Sequence, residues 1–146
     1  MIKILFVCHG NICRSPMAEF LLRDMVKKAG FSDRVQIASA AASREEVGSP
    51  VYPPARRILT EYGISCAGKT ARQITEKDLK EFDRIYYMDG FNQRRLGRMF
   101  PDYPRFLPFL DRDVADPYFS GDFTQTWLDI QEGCERILEE IKHGSA

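Results

Sequence analysis

The chain opens with an apolar, β-favouring run at residues 2–7 that breaks straight into Cys8-His9-Gly10-Asn11-Ile12-Cys13-Arg14-Ser15-Pro16. The run does not alternate polar and apolar residues, so both faces need covering, as in a strand inside a parallel sheet. Pro16 suits the first turn of a helix, where its missing N–H would be unpaired anyway. Met17, Phe20, Leu21 and Met25 then give that helix a buried face until Gly30 stops it. Strand, tight loop and helix thus follow one another at once, and a parallel sheet with crossover helices is the arrangement that accommodates them.

The rest of the chain repeats the alternation. Residues 35–38 read as a second strand, 39–54 as a small-residue loop, and 55–62 as a helix stopped by Gly63. Residues 84–88 read as a third strand and 89–99 as an Arg-rich helical segment. Residues 105–110 read as a fourth strand, which Pro108 consigns to an edge, and 122–141 as a last amphipathic helix. The expectation is an α/β fold over residues 1–146: a single-domain three-layer sandwich with a short parallel sheet of about four strands, helices on both faces, and a phosphate-binding loop after the first strand. A length of 146 residues suits one core, since two would leave neither half enough to bury.

Composition narrows the function classes. Lys plus Arg and Asp plus Glu both number 21, and this balance argues against nucleic-acid or membrane-surface binding. No apolar run reaches the roughly 18 residues of a membrane span, and no leader-like segment precedes the first strand. Cys8, Cys13, Cys66 and Cys134 form no C-x-x-C pair, and His9 lies far from His143, against both a structural zinc site and a disulfide framework. The expected setting is the cytoplasm, with reduced thiols. Cys66 and Cys134 read as small buried hydrophobes.

The loop at residues 8–15 carries the chemistry. A helix N-terminus offers unpaired N–H groups and a positive dipole end, so a tight loop there cradles a tetrahedral oxyanion. Gly10 and Asn11 tolerate the left-handed backbone this needs. Arg14 adds a planar fork able to hold two phosphate oxygens. A thiol at the foot of such a loop lies in the same positive field, which favours the attacking thiolate. These parts equip a phosphoryl transfer through a phosphocysteine.

Cys-x5-Arg-Ser, with the residues around it, closely resembles the low-molecular-weight protein tyrosine phosphatases. Ser39 to Gly48, Ala71-Arg72-Gln73-Ile74-Thr75, Tyr87-Met88-Asp89 with Asn92, and Asp116-Pro117-Tyr118 extend the resemblance in order along nearly the whole chain. It implies Cys8 as nucleophile, Arg14 as phosphate clamp and Asp116 as general acid, then base. It further implies that His9, Gly10, Asn11, Ile12, Cys13 and Ser15 enclose the phosphate, that Ser15 donates to the sulfur, and that Asn11 and Ser39 brace the loop. Tyr118 and Phe119 would wall the substrate ring, and Cys13 would be the redox partner of Cys8. Arg72, Asp89 and Asn92 would hold structure. No metal and no cofactor are implied; the partners are phosphotyrosine-containing proteins, with inorganic phosphate as product, no nucleic acid and no membrane. The expected assembly is a monomer or weak dimer.

The sequence departs from the family pattern in two places. Lys69 stands where a His is common, within the network that braces Asn11, and Glu45 stands where an aromatic residue often stacks on the substrate. Ile12 favours phosphotyrosine, because relatives acting on phosphoarginine carry Thr there. The alternatives are a thiol-dependent arsenate reductase, which would need further cysteines near Cys66, a phosphoarginine phosphatase, and a non-catalytic phosphate-binding or redox-sensing module. Asp111 and Asp113 compete with Asp116 as acids. Asp111-Arg112-Asp113-Val114 also mimics an aspartate-nucleophile motif, but it lies too late in the chain, since that motif follows a first strand. Arg94, Arg95 and Arg98 read as a solvated helix face.

Overall fold

The computed structural model describes residues 1–144. In chain order the elements are β1 (Ile2–Cys8), α1 (Arg14–Lys28), β2 (Val35–Ala41), α2 (Pro53–Glu61), α3 (Glu76–Glu81), β3 (Arg84–Tyr87), α4 (Gly90–Met99), β4 (Phe106–Pro108), α5 (Pro117–Ser120) and α6 (Phe123–Lys142). The sheet has four strands in the order β2-β1-β3-β4, and every pairing is parallel. This is the expected α/β architecture.

Alternation along β1 divides its side chains between two cores. Ile4, Phe6 and Cys8 join the larger core, which includes Met17, Leu59 and Ile130 from α1, α2 and α6. Leu5 and Val7 join a smaller core with Ile74, Phe82 and Leu96, against which Leu79 of α3 packs. Both faces of β1 are therefore covered, and Ile4 to Val7 have no exposed surface. Because β1 lies between β2 and β3, the chain leaves it in one direction and later returns on the other side. The crevice at the carboxyl ends of these strands is where ligands bind in folds of this kind, and residues 9–13 lie there.

Several elements differ from expectation for local reasons. The β1–β2 ladder continues to the Cys8–Ala41 pair, so the cysteine is held by the sheet. β4 is cut to three residues, at the sheet edge where Pro108 is tolerated. Two short helices, α3 and α5, were not expected. Each starts at a side-chain cap: at α3, Thr75 and Asp78 form a capping box in which Asp78 accepts from the Thr75 N–H at 2.8 Å, and at α5 the cap Asp116 accepts from the Tyr118 N–H at 3.1 Å. Arg72 pairs with Asp78 at 2.9 Å and so supports the start of α3, the structural role expected of it. Arg94 and Arg98 are exposed as expected, whereas Arg95 is half-buried and donates to the Ala42 carbonyl at 3.0 Å. Among the described residues, no helix is long and apolar enough to cross a membrane.

Gly133 is a point of close approach between α6 and the core. A Cβ there would lie 2.2 Å from the ring of Phe109, which is fully buried and packs edge-on against Phe6 at 5.6 Å. Gly133→Ala should lower stability by about 1–2 kcal/mol in urea unfolding, because overpacking outweighs the gain in helix propensity. An unchanged or higher stability would show that Phe109 moves aside freely.

Candidate active site

Cys8 ends β1, Arg14 begins α1, and Asn11 makes the turn between them with φ +59°, the one positive value outside glycine among the described residues. The Asn11 backbone N–H points at the Cys8 sulfur, 3.3 Å away, and the Ser15 hydroxyl lies 3.0 Å from the same atom. The Asn11 side-chain amide donates to Ser15 Oγ at 2.8 Å and to Ser39 Oγ at 2.9 Å, while its carbonyl oxygen accepts from the Arg72 N–H at 3.3 Å. Ser39 Oγ in turn donates to the buried Glu19 carboxylate. Arg23 reaches Glu19 at 2.6 Å, and Lys69 Nζ lies 3.5 Å from it and 3.0 Å from the Ser39 carbonyl. Burial pushes the Lys69 amine down from its ordinary value, helped by Arg72 and Arg23 and opposed by the Glu19 charge. A continuous polar chain therefore runs from the Cys8 sulfur to Lys69, which occupies the place expected to weaken it.

Arg14 is almost wholly buried, at 2% exposure. Its Nη1 donates to Asp89 at 2.6 Å and to the Val114 carbonyl at 2.7 Å, and its Nη2 lies 3.4 Å from Asp116 Oδ2. Burial works to lower the Arg14 pKa, but Cys8, Asp116 and Asp89 outweigh it and the net direction is upward, so the guanidinium is a fixed cation. Asp89 and Asp116 divide their oxygens in the same way. Oδ1 of Asp89 caps α4 at the Asn92 N–H (2.8 Å) and Oδ1 of Asp116 caps α5, while each Oδ2 faces Arg14.

Cys8, Cys13, Arg14 and Asp116 line one cavity of about 120 Å³, together with His9, Gly10, Ile12, Tyr118 and Phe119. Glu45 and Glu46 complete the wall, and the Glu45 carboxylate lies within hydrogen-bonding distance of His9 Nε2, at 2.9 Å. Tyr118 leans on Tyr52, with ring centroids 5.3 Å apart. Burial, with the charges of Cys8 and Asp116, pushes the Cys13 thiol well above its ordinary range. Cys66 and Cys134 are buried in the larger core, as expected of packing thiols.

Most residues singled out for the phosphate site thus meet around one pocket, whereas Asn11, Ser15 and Ser39 are buried outside its lining and act on it through their hydrogen bonds. Asp111 lies outside that pocket and is exposed. Three contributors were missed: Glu46 in the wall, Glu19 behind the loop, and Asp89 as the anchor of Arg14 and not merely of its own helix. Glu19 did leave a signal, since Ser15, Glu19, Leu22 and Val26 form one buried stripe of α1 and a carboxylate stands in its midst.

Backbone strain should add to the loss of hydrogen bonds when Asn11 is replaced. Asn11→Gly and Asn11→Ala both remove the side-chain bonds, but alanine also resists the left-handed conformation. The alanine variant should be less stable than the glycine variant by about 1 kcal/mol in urea unfolding. Equal stabilities would mean that the loop keeps no strained backbone once the amide is gone.

Comparison with known proteins places the chain in a family. Residues 3–146 match the model for "Low molecular weight phosphotyrosine protein phosphatase". The low molecular weight protein-tyrosine-phosphatase YfkJ of Bacillus subtilis is 40% identical over 151 residues, covering 97% of each chain. Its crystal structure superposes with a TM-score of 0.94, covering 100% of this chain and 98% of that one. The low molecular weight protein tyrosine phosphatase SP-PTP of Streptococcus pyogenes is 37% identical, with a TM-score of 0.89 and coverage of 96% of this chain and 93% of its own. The drosophila arginine phosphatase DARP is 32% identical, with a TM-score of 0.87 and coverage of 97% and 98%. Matched in sequence and fold over nearly its whole length, the chain belongs to the low molecular weight phosphotyrosine protein phosphatase family.

Proposed function

We propose that the protein hydrolyses phosphotyrosine in proteins, and small aryl phosphates, through a phosphocysteine on Cys8. The carrying observation is the convergence of Cys8, Arg14 and Asp116 on one cavity, with the Asp116 carboxylate 3.4 Å from the Arg14 guanidinium. The phosphate sits in the loop, against the N–H donors at the start of α1, whose N-cap Cys13 makes no side-chain capping bond. Arg14 is fixed through Nη1, so its Nη2 edge is offered to the equatorial oxygens, where charge develops in the transition state.

Sulfur attacks phosphorus in line as the bond from phosphorus to the aryl oxygen breaks, and Asp116 delivers a proton to the departing phenolate. A water molecule then attacks the phosphocysteine, giving its proton to Asp116. The S–P bond breaks, inorganic phosphate leaves, and the thiolate returns to the hydrogen bonds of the Asn11 N–H and Ser15. Those bonds stabilise the sulfur as leaving group in the second step. No metal or cofactor takes part in this scheme.

Oxidation would act on the same sulfur. A peroxide converts Cys8 to its sulfenic acid, and condensation with the Cys13 thiol, releasing water, closes a reversible disulfide. That both thiols line one cavity supports this pairing. The raised Cys13 pKa makes its thiolate scarce and the condensation slow.

Hydrolysis of para-nitrophenyl phosphate in excess EDTA is the deciding assay. The wild type should turn over under reducing conditions and Cys8→Ser should not, while still binding phosphate. Activity in the Cys8→Ser variant would discard the proposed nucleophile. Asp116→Ala should slow esters of poor leaving groups by about 10²–10⁴ and those of good leaving groups far less; equal losses would remove Asp116 as the acid. Phosphoarginine cleaved faster than phosphotyrosine would instead support the reading suggested by the DARP likeness.

A further inference from the structure

We propose that the cleft beside the catalytic pocket is a peptide subsite that receives an apolar side chain flanking the phosphotyrosine, from a substrate segment that also carries Lys or Arg. The inference rests on the phosphatase reading above and names the kind of substrate that reading leaves open. The cleft measures about 540 Å³, several times the catalytic cavity. His9, Arg14, Asp116 and Phe119 line both, so the two spaces share a wall that includes the proposed general acid. A phosphorylated ring that enters the small cavity brings its own main chain to this wall, and the neighbouring residue falls into the larger space.

The lining of the cleft indicates what it holds. Phe91 and Phe119 contribute rings and are 75% and 81% exposed, more than Tyr118 or Tyr62. Two such rings bordering one cleft, with Ala115 and Val114 also in its lining, make an apolar contact surface of the kind that marks binding. Arg94 stacks on Phe91 with its guanidinium carbon 4.8 Å from the ring centroid and does not line the cleft.

Charge selects the residues around that apolar anchor. Asp113 lines the cleft, exposed, and Glu46 and Glu45 line the adjoining pocket. The basic groups in the two walls are already engaged: Arg14 with Asp89 and Asp116, and His9 with Glu45. Even with His9 and the exposed Arg94 over Phe91 counted against them, the acidic groups outnumber the basic ones. The mouth around a bound phosphate therefore complements a basic segment, while an acidic segment would meet like charge.

Three phosphotyrosine peptides of equal length, flanked by Lys and Leu, by Lys and Ala, or by Glu and Ala, test this, with para-nitrophenyl phosphate as the reference. The wild type should favour the Lys/Leu peptide over the Glu/Ala peptide by about tenfold or more in kcat/KM, mainly through KM. Phe91→Ser should erase the advantage of Leu over Ala and leave para-nitrophenyl phosphate hydrolysis unchanged, since that ester does not reach the cleft. Asp113→Asn, which keeps an oxygen for the Gly90 N–H, should weaken the preference for Lys over Glu, and added salt should weaken it in the wild type. Peptides cleaved alike whatever their flanks, an acidic preference, or a Phe91→Ser variant that still prefers Leu would overturn the subsite alone. No turnover of the peptides or of para-nitrophenyl phosphate would overturn the phosphatase reading and the subsite with it.

Discussion

The left-handed backbone of Asn11 is the constraint on which the site depends. It lets the chain turn from the end of β1 to the start of α1 within a few residues and brings an N–H against the Cys8 sulfur. A non-glycine residue held there costs roughly 1–3 kcal/mol. The surrounding polar chain offsets that cost, because all the hydrogen-bonding atoms of the buried Asn11 side chain have partners in Ser15, Ser39 and Arg72. In a dry environment each of those bonds is worth more satisfied, and costs more broken, than it would at the surface. The loop is therefore stiff before any ligand arrives, as preorganised oxyanion binding requires.

Arg14 depends on long-range order in a different way. Its partners Asp89, Val114 and Asp116 lie 75 to 102 residues away in sequence. The sheet order brings them to it, since β3 pairs with β1 and the segments after β3 and β4 return to the same end. Asp89 and Asp116 each start a helix with one oxygen and face Arg14 with the other, so forming α4 and α5 and positioning the guanidinium are coupled. A buried arginine stripped of such partners would be strongly destabilising, which ties the integrity of the site to that of the fold.

Much of this was legible in the chain because short-range signals agree with one another. The apolar run of β1, Pro16 near the start of α1 and the glycines after helices each had a local physical reason, and the loop residues lie consecutively. The misses share a different character. Helices α3 and α5 are too short to show periodicity and exist because a Thr75–Asp78 capping box and the Asp116 cap start them, residues that in sequence look like ordinary turn formers. Asp89 was placed correctly in structure but not in its contact with Arg14, because that contact follows from strand order. Glu46 reached the pocket wall from a loop whose path has no periodic signature at all.

The Lys69 departure shows how a network survives a change of residue type. Glu19 is a buried carboxylate, and such a charge persists only with cations and donors around it. Arg23 supplies one cation, and Lys69 supplies a second while also donating to the Ser39 carbonyl. The long lysine stem spans both acceptors from the loop that precedes Arg72, and three rotatable donors make that geometry easy to meet. Burial lowers the amine's pKa, yet the Glu19 charge acts in the opposite sense, so ion and counter-ion sustain each other. What the loop needs from this position is a donor that fixes Glu19 and Ser39, through which Asn11 is held. A lysine meets that need with a charge that also balances the carboxylate, and the brace reaches the Cys8 sulfur unbroken.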